Sequence, residues 1–191
     1  MFKKAYYYDE IALVPQFNDI ESRLDPSLET VLSKNIPMSI PLVAANMSTV
    51  IGDKLASVLV NANSVPIYHR YTPIENQIEF ITRWRCVASI GINPNFRELH
   101  TFVESGAKGF CIDIAHGHDK RMLKLIPELK KTFPSVDIIA GNVCTPEGFQ
   151  DLSNAGADAV KVGIGPGRAC LTNDITGFGA PQFTAVYECG N

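Results

Sequence analysis

Gly109-Phe110-Cys111-Ile112-Asp113-Ile114 is a short, almost uniformly apolar run, and Val136-Asp137-Ile138-Ile139-Ala140 is another. Between them, from about Asp119 to Thr132, Met122, Leu123, Leu125, Ile126 and Leu129 recur at the spacing of one helix face. A strand without polar alternation is buried on both sides, as in parallel sheets, and parallel neighbours need a helical crossover between them. The stretch therefore reads as a β–α–β unit of the α/β class.

The same unit recurs in both directions. Upstream, Ile40 to Ala45, Ser64 to Tyr68 and Cys86 to Ile90 read as strands, although Pro66 cannot donate to a ladder. Asp53 to Asn61, Pro73 to Arg83 and Asn95 to Ser105 read as helices. Leu55, Val58 and Leu59 share a face of the first, and Pro73 suits a first turn. Downstream, Thr145 caps a helix over Pro146 to Asn154 that stops at Gly156. Ala159 to Val162 is a sixth strand, and Pro181 to Cys189 begins another helix.

A doubly wound sheet and a barrel both accommodate this alternation. Asn46, Asp113 and Asn142 stand at strand C-terminal ends, where barrel enzymes keep their chemistry. The expected architecture is therefore a (β/α)8 TIM-barrel type, one domain over residues 1–191. A closed barrel needs eight strands, so the expectation is a partial barrel, truncated after about six.

The 191 residues are 46% hydrophobic and 19% charged with a net charge of −3, which is one ordinary globular domain. Basic residues are scattered, as in Lys3-Lys4 and Lys130-Lys131, so no nucleic-acid footprint is expected. No apolar run reaches the ~18 residues of a membrane span. Met1 to Asp9 turns polar and acidic too early for a signal peptide, and the expected location is cytoplasmic. The five cysteines form no C-x-x-C pair and are expected to be free thiols. Cys86 and Cys111 sit in apolar strands as inert core thiols, while Cys144 and Cys189 show no role.

Gly163-Ile164-Gly165-Pro166-Gly167-Arg168-Ala169-Cys170-Leu171-Thr172 is the segment with chemistry in it. Its glycines permit unusual backbone angles, and Cys170 at its end is presented rather than packed. Arg168 is placed to favour the thiolate, and Thr172 to supply a hydroxyl beside it. The plain alternative is a Gly-Pro surface loop that happens to contain a cysteine and a solvated Arg168. Asp113 has its own plain reading as a turn cap, and Asn142 as a local backbone bond. His116 and His118 suggest a metal only weakly, lacking clustered Cys or carboxylate.

Val160-Lys161-Val162-Gly163-Ile164-Gly165-Pro166-Gly167, with Cys170, resembles the catalytic loop shared by IMP dehydrogenases and GMP reductases. Tyr8 to Pro15, Ser22-Arg23, Ala45 to Val50, Ile112 to His118 and Ala140 to Val143 resemble further motifs of that family, in its order. Tyr68 passes through one helix directly to the strand at Cys86, leaving no room for the CBS modules that IMP dehydrogenases usually carry there. His69-Arg70-Tyr71-x-Pro73, Thr176 to Gly179 and Val186 to Cys189 also resemble the GMP reductase branch. A CBS-free IMP dehydrogenase stays open, because Ala115 to His118 and Asp137 to Val143 would sit equally well there. In departures from the dehydrogenase pattern, Arg168 stands at a usual serine and Leu171 at a usual threonine. Ser48 stands where the family has Asp or Gln, and Asn173-Asp174 replaces a basic residue, removing positive charge near Cys170.

The resemblance implies NADPH-dependent reductive deamination of GMP to IMP and ammonia, or oxidation of IMP to XMP with NAD in the alternative. It implies Cys170 as nucleophile with Thr172 assisting. It places NADPH against Asp113, Ile114 and Ala115, with Ile164, Gly165, Arg70 and Asn142 in the same site. It places the nucleotide at Met47 and Arg168, with Arg168 on the phosphate, and a potassium ion on the carbonyls of Gly165, Gly167 and Cys170. A homotetramer is implied as well. The strand count adds a reading of another class, a non-catalytic short subunit that binds a full-length homologue.

Overall fold

The computed structural model describes residues 4–191; Met1 to Lys3, the start of the stretch read against a signal peptide, lie outside the described residues. Five strands pair in parallel in the order β3 (Ile67–Tyr68), β4 (Val87–Ile90), β5 (Gly109–Asp113), β6 (Asp137–Val143) and β7 (Ala159–Val162). Helices α2 (Ile74–Trp84), α3 (Phe96–Glu104), α4 (Lys120–Thr132) and α5 (Pro146–Asn154) connect them in turn. Spatial order follows chain order without reversal, so there is no switch point of the doubly wound kind. The fold is α/β, a parallel sheet flanked by helices in the manner of a partial (β/α) barrel.

Both faces of the sheet are covered, which explains the missing polar alternation. Phe110, Ile112, Ile138 and Ala140 meet Met122, Leu125, Ile126 and Leu129 of α4 and Phe80, Ile81, Leu99 and Phe102 of α2 and α3. Each such side chain contributes roughly 1.5–3 kcal/mol of hydrophobic stabilisation. Cys111, Ile139, Val87 and Ile67 face the other way, against Ile36 and Met38. Burial pushes the thiols of Cys86 and Cys111 up to about 12, so both are inert as expected. Thr145 caps α5 by accepting from the Gly148 N–H, and Gly156 follows with φ +103°.

Ile36 and Met38 belong to a hairpin that the sequence reading passed over, β1 (Thr30–Ser33) and β2 (Ile36–Met38). Asp137, at the start of β6, fastens its turn. One carboxylate oxygen accepts from the Ser33 hydroxyl at 2.6 Å and the Asn35 N–H at 2.8 Å, and the other from Asn35 Nδ2 at 2.7 Å. Burial raises the Asp137 pKa, but the bonds from Ser33 and Asn35, with Lys130 nearby, outweigh it and hold it below its ordinary value.

Three expectations need correction. Ile40 to Ala45 forms no strand, so the parallel sheet has five strands rather than six. Pro41 has no N–H, the Leu42 N–H turns back to the Ile40 carbonyl at 2.9 Å, and Leu42 is 62% exposed. In α1 (Asp53–Asn61) it is Ala56 and Leu59 that are buried, while Val58 is 63% exposed on the opposite side. Finally, Leu171–Thr176 is a short helix, α6, rather than loop, and α7 spans Gln182–Gly190. Among the described residues no helix is long and apolar enough to cross a membrane.

Candidate active site

The C-terminal ends of β3 to β7 open on the loop between β7 and α6. Gly163 and Gly165 take φ +135° and +55°, which turns the chain back across the strand ends. Three carboxamides tie this turn down. Asn142 Nδ2, from β6, donates to the Gly163 carbonyl at 2.7 Å. Gln182 Nε2, from α7, donates to the Val162 carbonyl at 3.0 Å, and Asn173 Nδ2, from α6, to the Gly165 carbonyl at 2.7 Å. A Cβ at Gly163 would meet Gln182, and one at Gly165 would meet Asn173. Asn142 therefore bonds backbone 21 residues away rather than locally.

Cys170 occupies the N-cap position of α6, half-buried, without itself accepting a cap hydrogen bond. The Thr172 hydroxyl, then the Thr172 N–H, and more weakly the Asn173 N–H draw its thiol below the ordinary pKa, against partial desolvation and then Asp174, which push the other way. Cys170 is the one cysteine so shifted among the described residues; burial raises Cys86, Cys111, Cys144 and Cys189. The neighbour favouring the thiolate is thus Thr172, and the role expected of Arg168 is corrected. The Arg168 guanidinium points instead at the N-terminal 3-10 turn Tyr8–Glu10. It lies 3.1 Å from Asp9 Oδ2 and 3.2 Å from Glu10 Oε1, and 4.5 Å above the Tyr7 ring.

Asp113, at the end of β5, is no turn cap; Asp119 caps α4 by accepting from the Arg121 N–H. Lys161 Nζ, from β7, lies 2.8 Å from Asp113 Oδ1 and 2.7 Å from Asn46 Oδ1. Asn46 Nδ2 in turn donates to the Ser89 hydroxyl at 2.9 Å. Three strands, β4, β5 and β7, and the segment before α1 are thereby joined by one polar chain. Lys161 and Ser89 were not singled out from sequence. The available signal was a lysine between Val160 and Val162 in an otherwise apolar strand, which must find a partner if it points inward.

Ile114 exchanges backbone hydrogen bonds with Gly141 and Asn142, at 3.2 and 2.9 Å, which sets Ile114 and Ala115 beside the end of β6. Arg70 follows β3; its guanidinium packs near Gly91 and over the Tyr71 ring at 4.5 Å, and its Nε is buried without a partner. Asn142 Oδ1 is also buried and unpartnered. Met47 is 55% exposed, and Ile164 lies in the loop itself. His118 pairs with Asp151 at 2.8 Å. A cavity of about 740 Å³ lies elsewhere, lined by Met38, Pro66, Arg85 and Lys108 at the N-terminal strand ends. Barrel enzymes keep their active sites at the C-terminal strand ends, so these, and not the cavity, are the candidate site.

Residues 5–191 match the family described as IMP dehydrogenase / GMP reductase domain. Among similar proteins, a GMP reductase of Oceanobacillus iheyensis is 40% identical over 98% of this chain, and one of Lactococcus lactis subsp. lactis is 41% identical over 97%. A GMP reductase of Bacillus thuringiensis is 39% identical over 99%. The chain spans 60%, 59% and 60% of the length of these curated relatives.

Proposed function

Because the chain belongs to the IMP dehydrogenase / GMP reductase family, we propose that it carries the nucleophile end of a GMP reductase site, which reductively deaminates GMP to IMP with NADPH. The observation that carries this reading is the Cys170 thiol, lowered in pKa by Thr172 at the end of a loop tied by three carboxamides. The thiolate form is the nucleophile, and the purine C2 is electron-poor. Cys170 Sγ bonds to C2, the C2–amino bond breaks, and ammonia leaves with protons that the Thr172 hydroxyl helps to deliver. A thioimidate joins enzyme and purine at that stage. When bound, NADPH supplies the hydride that becomes the C2 hydrogen of IMP, with Cys170 leaving again as thiolate.

Residues on the strand ends suit that cofactor. The unpartnered Asn142 Oδ1 is an acceptor for a carboxamide N–H, and the unpartnered Arg70 Nε is a cationic donor for a phosphate. Lys161 holds the Asp113 carboxylate beside them. Arg168, on this reading, leaves Asp9 and Glu10 for the nucleotide phosphate. The protein is read as a cytoplasmic homo-oligomer on family grounds. The potassium ion implied at Gly165, Gly167 and Cys170 is not part of the proposal, for the reason given below.

The test is oxidation of NADPH by the purified protein with GMP, against reduction of NAD with IMP. GMP-dependent oxidation, abolished in Cys170→Ala, is the expected result. Turnover only with IMP and NAD would assign a dehydrogenase instead. Turnover with neither, together with stable binding to a full-length homologue, would assign a non-catalytic subunit.

A further inference from the structure

The carbonyls of Gly165, Gly167 and Cys170, where a cation is expected, each have a partner inside the loop. Each already accepts a hydrogen bond from inside the loop: Gly165 from Asn173 Nδ2 at 2.7 Å, Gly167 from the Cys170 N–H at 3.1 Å, and Cys170 from the Asn173 N–H at 3.1 Å. Two of those three donors belong to one residue. The Asn173 carboxamide also presses its Oδ1 against the Cα positions of both Gly165 and Gly179, where any Cβ would collide with it. Its orientation is fixed, because exchanging O and N would set an oxygen against the Gly165 carbonyl oxygen. An N–H dipole aimed at that carbonyl presents positive charge to the very oxygen a cation would need.

We propose that Asn173 is a positioning residue: its carboxamide braces the Gly165 turn against α6 and Gly179, and so orders the Cys170 loop without a bound cation. Backbone geometry supports the brace. The Ala180 N–H donates to the Ile164 carbonyl at 2.9 Å, so the Gly179 segment is already docked on the turn that Asn173 fills. The Asn173 N–H also faces the Cys170 carbonyl, so one residue touches both ends of the loop's last turn. Asn173 stands where the family resemblance gives a basic residue, and a basic side chain has no carbonyl oxygen to seat between two glycine Cα atoms.

The experiment reads the thiol and not turnover, so it stands or falls apart from the proposed reaction. Alkylation of Cys170 by iodoacetamide is followed by peptide mass across pH, in potassium chloride and in choline chloride of equal ionic strength. The wild-type protein is expected to react at the same rate in both salts. Asn173→Ala is expected to change the rate by about three- to tenfold, the worth of one lost neutral hydrogen bond, and to move the pH midpoint of reaction. Asn173→Asp keeps the size but cannot donate to the Gly165 carbonyl, and it is expected to make the rate depend on potassium. It also carries the test if Asn173→Ala does not fold. A wild-type rate that depends on potassium overturns the proposal. So do Asn173 variants that melt normally and keep the wild-type rate and pH midpoint.

Discussion

At the N-terminal end of the sheet Asp137 is 2% exposed, and both its oxygens accept hydrogen bonds from the hairpin. At the C-terminal end, Asn142 and Gln182 each donate to a backbone carbonyl and each leave a buried oxygen without a hydrogen-bond partner; Arg70 adds an unpartnered Nε. The same five strands thus carry a satisfied polar knot at one edge and an unsatisfied ring at the other. Unpaired buried groups cost free energy, so their concentration at one end is what the proposed cofactor site needs, since ligand groups can complete the network there. The first knot holds the fold together; on the proposed reading the second ring serves the reaction.

That contrast can be broken by substitution. The largest effect is expected at Cys170: Cys170→Ala should lower turnover by at least about 10³-fold while leaving the melting temperature unchanged, as read by NADPH oxidation and thermal denaturation. If the melting temperature falls steeply instead, Cys170 is a packing residue and the contrast fails. Asp137→Ala should do the reverse. It strands the buried Ser33 hydroxyl and removes the partner of both Asn35 donors, costing about 2–4 kcal/mol in denaturant unfolding.

Asp137 also gives the contrast a pH signature. Its folded pKa lies below its unfolded one, so its stabilisation is complete above the ordinary carboxylate pKa. It is lost as pH falls from there through the depressed folded value. Asp137→Asn should flatten this acid limb of the stability curve, and an unchanged limb would show that another carboxylate controls it.

Lys161→Met should fall between the two classes. It removes the bridge between Asp113 and Asn46, at about 1.5–3 kcal/mol for charge-assisted bonds, and should raise the cofactor KM as well. A loss in stability with no change in KM would place Lys161 with the structural end. The smallest effect is expected from Arg168→Ala. Its exposed pairs with Asp9 and Glu10 should contribute no resolvable change in melting temperature, while the nucleotide KM rises.

The legible part of the molecule is its repeat and its loop. Uniformly apolar strands such as Gly109 to Asp113, and helix faces such as Met122 to Leu129, carry the α/β alternation because both are local patterns. Cys170 could be picked out because glycines at Gly163 and Gly165 announce unusual backbone. The hairpin was not legible. Its second strand holds Pro37, and what fastens it, Asp137, lies in a different unit of the chain. Ile40 to Ala45 misled for the converse reason, since an apolar run says nothing of whether a partner strand accepts it. The Asp113–Lys161 pair and the turn of Arg168 toward Asp9 are tertiary facts, set by which strand ends meet.

The Asp137 knot also sets an order of events during synthesis. Ser33 and Asp137 are separated by 104 positions, so the hairpin can form early and rest on β3, β4 and β5, but its turn is not fastened until β6 emerges from the ribosome. Through that interval the hairpin lacks its Asp137 fastening, and the edge of β5 that β6 later takes lies open to any passing strand. A nascent chain stalled short of β6 is therefore expected to be a client for chaperones, and one released just beyond it is expected to cover that edge itself.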